Sequence, residues 1–256
     1  MRLFIIKLKL KFYHKHSRIT FTTLIKEILL FIQNNNSIAE KQDFKNNLKE
    51  KRSMKKIYFV GGSPCAGKST ICEIIAKKYN LYYFKVDDYL DKYMKMAALN
   101  GKSFCKKNLS MTNEEIWMRN PMIQKNEEFS IYKEIFDSII RELEQINCDK
   151  NIITEGCAYI PSLMKKLGIA DNMYLAIIPT KKFQIYHYKK REYVPKMLSG
   201  CSDKAKAFQN WMERDFLFSK EIERQCRKEK FKVMINDGKA DLDDMINEVV
   251  AHFEID

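Results

Sequence analysis

The residues Gly62-Ser63-Pro64-Cys65-Ala66-Gly67-Lys68-Ser69 fit the spacing G-x-x-x-x-G-K-[ST]. This set of residue types suits one task, holding a chain of phosphates. The glycines let backbone N–H groups turn inward around the anion. A helix starting at Ser69 points its positive end at the same place. Lys68 supplies a point charge to the β- and γ-phosphates, and Ser69 offers a hydroxyl to Mg²⁺. Ser63, Cys65, Ala66 and Thr70 complete the expected contacts with ATP. A plain strand-to-helix turn would give Lys68 and Ser69 no reason to stand there.

Two further groups of polar residues could work with this loop. Asp87 and Asp88 close an apolar segment, and a carboxylate there accepts a proton from a substrate hydroxyl. One of the pair suffices for that, so Asp87 is assigned the chemistry and Asp88 the cap of the next helix. Glu155 ends Ile152-Ile153-Thr154-Glu155-Gly156, where an acid holds Mg²⁺, directly or through water, or touches the substrate. It also reads as a polar strand end beside a turn glycine. The stretch from Lys189 to Arg214 is rich in base. Most of its lysines read as a solvated helix face, whereas Arg191 and Arg214 have the planar fork that clamps a moving phosphoryl group.

These residues must be brought together by alternating strands and helices. Short apolar strands are expected at 56–60, 82–86, 151–154, 173–178 and 231–235. Ile71, Ile74, Ile75 and Tyr79 share a helix face after the loop. A polar helical region runs to about Asn120, and Phe129, Tyr132, Phe136, Ile139, Leu143 and Ile146 mark a long amphipathic helix. Leu242, Met245, Ile246, Val249, Val250 and Phe253 mark the last one. The expected fold is α/β in three layers: a five-stranded parallel sheet with helices on both faces, and a helical lid at about 189–214. The ligand then sits at the carboxyl ends of the strands.

Composition narrows the classes. Hydrophobic residues are 45% and charged residues 31% of the chain, a mix typical of soluble globular proteins. No run is long enough for a transmembrane helix. The cysteines are seven, scattered and without C-x-x-C spacing, which argues for reduced thiols in a cytoplasmic protein and against a structural zinc site. The net charge of +13 suggests nucleic acid, but residues 1–53 hold 12 Lys/Arg against 4 Asp/Glu, so +8 of it lies there and +5 elsewhere. That distribution argues against nucleic acid as the partner of the domain. The extension 1–53 reads as a disordered or peripheral basic tail, an arm for a partner or membrane surface, or a segment upstream of a natural start at Met54. The first and last readings are favoured, which leaves 54–256 as the working domain.

The order of parts resembles the small P-loop kinases of the nucleoside-monophosphate-kinase-like group, which includes shikimate, gluconate and uridine kinases, and in particular a bacterial branch of it. The residues that carry the resemblance are Gly62 to Thr70, Trp117-Met118-Arg119, Thr154-Glu155-Gly156, Pro179-Thr180-Lys181-Lys182-Phe183-Gln184 and Asn210-Trp211-Met212-Glu213-Arg214-Asp215. The resemblance implies a lid after the fourth strand and an adenine-contacting loop after the fifth, Asn236-Asp237-Gly238, with Asp237 toward the nucleotide. It implies an acceptor site between the second and third strands, where Arg119 would bind an anionic group. The chain lacks the D-G-[FY]-P-R run of adenylate kinases and a D-x-D after the second strand, which argues against nucleoside-monophosphate and shikimate acceptors.

The leading expectation is therefore an ATP- and Mg²⁺-dependent kinase, monomeric or homodimeric, acting on a small hydroxylated or nucleoside-like acceptor. Lys68, Arg191 and Arg214 would stabilise the phosphoryl group, and Asp87 would orient the hydroxyl. Two alternatives stand beside it. One is an ATPase or nucleotide switch with no acceptor. The other is a nucleic-acid-associated ATP-binding protein that uses residues 1–53.

Overall fold

Three segments are apolar at nearly every position: Ile57 to Val60, Ile152-Ile153 and Tyr174 to Ile178. Such runs have no face to give to water, which marks strands covered on both sides. In the computed structural model, which describes residues 55–256, they are the three inner strands of one sheet. β1 (Ile57–Gly62) leads through the glycine loop into α1 (Lys68–Lys78). β2 (Tyr82–Lys85) ends in a 3-10 turn, Val86–Tyr89, followed by α2 (Leu90–Leu99), α3 (Ser103–Ser110), α4 (Asn113–Trp117) and α5 (Pro121–Gln145). β3 (Ile152–Glu155), α6 (Pro161–Leu167) and β4 (Tyr174–Pro179) come next. The chain continues through α7 (Lys181–Tyr188), α8 (Val194–Met197) and α9 (Lys204–Glu229) to β5 (Lys232–Asn236) and α10 (Leu242–Phe253).

The strand order is β2-β3-β1-β4-β5, all parallel. β2 and β5 lie at the edges and expose Tyr82 and Ile235, whereas β3 and β4 are buried throughout. The register aligns Val60 with Glu155 and Glu155 with Lys85, so the carboxyl ends of β1, β3 and β2 form one ledge. On one face Ile71, Cys72 and Ile75 of α1 join Met245, Ile246, Val249 and Phe253 of α10 over Val60, Ile153, Leu175 and Ile177. Elsewhere α5 packs on α9, with Phe129 stacked on Phe218 at 4.4 Å, and α9 runs along β4 and β5.

The expected strands and the final helix are present, within two residues at the strand ends. α5 begins eight residues before the apolar pattern at Phe129, because the Asn120 side chain caps the N–H of Met122 and Pro121 takes the first turn. The polar region before it is three helices, the last started by a Thr112–Glu115 capping box.

Residues 189–214, the expected lid, fall in two parts. Residues 204–214 belong to α9, a 26-residue helix capped by Asp203. Only 189–203, including α8, lies between α7 and α9. Val194, Leu198 and Cys201 of this segment rest on a small apolar cluster with Cys65, Trp117, Tyr188 and Trp211. Trp211 stacks on Trp117 at 4.4 Å. Among the described residues no helix is long and apolar enough to cross a membrane. The expectations for residues 1–53 lie outside the described residues.

Candidate active site

The glycine loop joins two central elements, and its backbone takes conformations that side chains resist. Gly62 has φ 126° and Gly67 φ 88°; Gly67 is the N-cap of α1. A Cβ on Gly62 would run into the backbone carbonyl of Ile177 in β4. Cys65 also has positive φ, 60°. The Ser63 N–H donates to the Ile177 carbonyl at 3.2 Å and ties the loop to β4. Within the described residues no backbone hydrogen bond engages the N–H of Cys65, Ala66, Gly67, Lys68 or Ser69. Those donors are left to an anion, which is the arrangement a phosphate chain requires. Thr70 lies exposed in the first turn of α1.

Lys68 is buried, and its Nζ donates to the Ser63 carbonyl at 2.8 Å and to Cys157 Sγ at 3.5 Å. Burial works against its charge, but the Cys157 sulfur and the Glu155 and Asp87 carboxylates outweigh it, so the ammonium form is strengthened. Burial pushes the Cys157 thiol up to about 12, so the carboxylates are the effective anions near Lys68.

Ser69 Oγ donates to Glu155 Oε1 at 2.8 Å, and Tyr83 Oη donates to the same oxygen at 3.2 Å. Glu155 is fully buried, and its Oε2 has no hydrogen-bond partner. Burial raises the Glu155 carboxyl above the ordinary carboxylate range, and Asp87 adds to this, whereas Lys68, Ser69 and Tyr83 oppose it. A buried carboxylate oxygen left unpaired beside the Ser69 hydroxyl suits a hard divalent cation. The expected pairing of Ser69 and Glu155 for Mg²⁺ thus fits the residues. Among the described residues no cluster of three His, Cys, Asp or Glu side chains forms a metal site by itself. Mg²⁺ would take its remaining oxygens from phosphates and water.

Asp87 and Asp88 share the 3-10 turn after β2 but face different partners. Asp88 forms an ion pair with Lys85 at 3.1 Å. It caps nothing: the N-cap of α2 is Tyr89, with no side-chain cap bond. The expected cap is replaced because the 3-10 turn runs directly into α2. The Asp87 carboxylate has no ion pair or hydrogen bond among the described residues, and its charge reaches Lys68, Glu155 and Cys157.

The three arginines singled out in the sequence have different surroundings. Arg191 lies between α7 and α8, hydrogen-bonded to Tyr193 Oη at 2.9 Å, with its guanidinium 5.3 Å from the Tyr188 ring. Its charge reaches Cys65 of the glycine loop, which packs with Val194 and Leu198 of the 189–203 segment. Arg214 is buried in α9, ion-paired with Glu128 and Asp215 and lying over the Trp117 ring. The phosphoryl contact expected of Arg214 is corrected accordingly: two carboxylates already hold it. Arg119 is likewise paired, with Glu127, and does not present a free cation to an acceptor. Asp237 is exposed and turned to Lys239, whose N–H it accepts at 2.9 Å. Its neighbour Asn236 reaches the glycine loop instead, donating to the Ala66 carbonyl at 3.1 Å.

Sequence reasoning missed four contributors. Tyr83 and Cys157 touch Glu155 and Lys68 from β2 and from the turn after β3. Glu128 and Asp215 hold Arg214, and Asp215 also accepts from Tyr188 Oη at 2.8 Å. The signal available for Asp215 was its place beside Arg214; Glu128 gave none. A separate depression of about 550 Å³ lies between α7 and α9, lined by Lys181, Ile185, Phe208 and Met212 among others, and includes none of the expected site residues.

A parallel sheet in the order 2-3-1-4-5, with a G-x-x-x-x-G-K-S loop between central β1 and α1, defines a three-layer α/β P-loop nucleotide-binding protein. Within that class its likeness is to small P-loop kinases. It is similar to an adenylate kinase of Wigglesworthia glossinidia brevipalpis, with 29% identity over 146 residues, 57% of this chain and 67% of that protein. It also aligns with the solved structure of TT1252 from Thermus thermophilus, at 16% identity and TM-score 0.43, over 77% of this chain and 97% of that one. The shikimate kinase of Aquifex aeolicus aligns at 13% identity and TM-score 0.33, over 77% and 96%. No family model matches the chain.

Proposed function

We propose that this chain transfers the γ-phosphoryl group of ATP, with Mg²⁺, to a hydroxyl of a small metabolite or nucleoside-like acceptor. The observation that carries the reading is one ledge holding Lys68, the Ser69–Glu155 pair and the unpaired Asp87, with Arg191 above the loop. The loop N–H groups bind the phosphate chain. Lys68 turns from the Ser63 carbonyl to the β- and γ-phosphates, whose charge replaces the carbonyl as its acceptor. Mg²⁺, when bound, offsets charge on the phosphate oxygens. Ser69 and Glu155 would hold it, Glu155 directly or through water.

Asp87 accepts the proton of the attacking hydroxyl. Arg191, the one of the three arginines with no carboxylate partner among the described residues, stabilises the phosphoryl oxygens from the lid. Arg214 instead ties α9 to α5 through Glu128 and keeps the floor of the lid in place. Asn236 and Asp237 frame the nucleotide from the loop after β5. The working unit is 54–256, and Lys55–Asp256 forms one compact unit on its own.

The test is incubation with γ-labelled ATP, Mg²⁺ and a mixed metabolite extract, followed by chromatography of the label. Label on organic products, absent with Lys68→Ala, is expected. Label on orthophosphate alone would favour the ATPase reading.

A further inference from the structure

The acceptor side of the cleft, between Asp87 and α9, holds the cations Lys85, Arg119 and Arg214 among the described residues, and each has been matched. Lys85 pairs with Asp88. Arg119 pairs with Glu127, which also takes Lys107 at 2.7 Å. Arg214 is shared by Glu128 and Asp215. Both oxygens of Glu128 are engaged, one by Arg214 and the other by Tyr132 Oη at 2.7 Å. Each of these cations thus already has a carboxylate. Arg214 has two carboxylates for one guanidinium, Asp87 has no partner, and one oxygen of the buried Glu155 is unpaired.

We infer that the acceptor is a hydroxyl compound bearing no carboxylate or phosphate, either neutral or carrying an amine; this rests on the kinase reading above. An anionic acceptor would have to take Arg119 from Glu127 or Arg214 from Glu128 and Asp215. The abandoned carboxylates would then stand partly or fully buried without a counter-charge. Breaking such a pair lowers affinity on the order of a thousandfold. A neutral alcohol breaks no pair and needs only hydrogen bonds, the first of them to Asp87. An ammonium group gains further from the unpaired Asp87 carboxylate.

The full chain is given Mg²⁺ and ATP with three sets of acceptors, and phosphorylated products are read by mass spectrometry. The anionic set is AMP, gluconate and shikimate. The neutral set is adenosine, glucose and inositol. The amine set is glucosamine, ethanolamine and kanamycin. In parallel, AMP is titrated calorimetrically into ADP-saturated protein. Product is expected from the neutral or amine sets at rates at least about tenfold above any anion, with no saturating heat from AMP below about 1 mM. Product mainly from anions, or micromolar AMP binding, overturns the inference and leaves the kinase reading standing. No product from any set also overturns it. If Lys68→Ala abolishes ATP binding in that case, nucleotide binding survives and phosphoryl transfer does not. If Lys68→Ala leaves ATP binding unchanged, the kinase reading itself has failed.

Discussion

The Ser69 hydroxyl donates to Glu155 Oε1 at 2.8 Å, so the first turn of α1 is tied to the last residue of β3. The bond leaves the second Glu155 oxygen buried and unpaired, a state that disfavours the folded protein unless a cation or proton arrives.

Glu155 therefore gives a pH prediction. Burial raises its carboxyl in the folded state above the unfolded value. Between the two values the folded state holds more protons, so this residue's contribution to stability falls as pH rises through that window. Glu155→Gln removes the titration. The midpoint of the variant should gain on that of the wild type as pH moves from about 5 to about 7. EDTA should weaken ATP binding in the wild type and change it little in the variant. Parallel midpoints across the pH range would show that Glu155 does not carry the raised carboxyl.

Asp87 and Asp88 should separate cleanly. Asp87→Asn should leave ATP affinity within a few-fold and slow phosphoryl transfer by roughly 10²–10⁴. Asp88→Asn removes an ion pair with Lys85 whose side chains are well exposed, so stability should change by less than about 1 kcal/mol and transfer little. Loss of transfer in Asp88→Asn with none in Asp87→Asn would reverse the assignment.

Arg191 and Arg214 should differ in kind. Arg214→Ala strands Glu128 and the buried Asp215, which should destabilise the fold by about 3–5 kcal/mol in denaturant titration. Arg191 is exposed between α7 and α8, so Arg191→Ala should unfold at nearly the wild-type denaturant concentration and lose transfer. Equal stability losses in the two variants would contradict these places.

Much of this fold was legible because the inner strands are apolar throughout and the loop motif sits directly after one of them. Apolar runs and glycine spacing are local signals. The partners of Arg214 and Ala66 were not legible. The Arg214–Glu128 contact spans 86 residues and the Asn236–Ala66 contact 170. A basic stretch such as 189–214 reads the same whether its arginines meet water, a phosphate or a buried carboxylate. Only the packing of α9 against α5 distinguishes Arg214 from Arg191.

A chain beginning at Met54 should keep the thermal midpoint and the ATP affinity of the full chain, since Lys55–Asp256 closes its own core. Differential scanning calorimetry and ATP titration of both chains check this. A midpoint lower by many degrees would place part of the folded domain within residues 1–53.

The central claim is that the glycine loop and Lys68 hold the phosphates of ATP. Calorimetric titration of Mg²⁺ and ATP into the wild type and into Lys68→Ala tests it most directly. Binding should be saturable in the wild type and weaker in the variant by about 10–100-fold, the loss of a charge-assisted contact worth roughly 1.5–3 kcal/mol, while the variant keeps its fold. Equal ATP affinity in the two folded proteins would contradict the account.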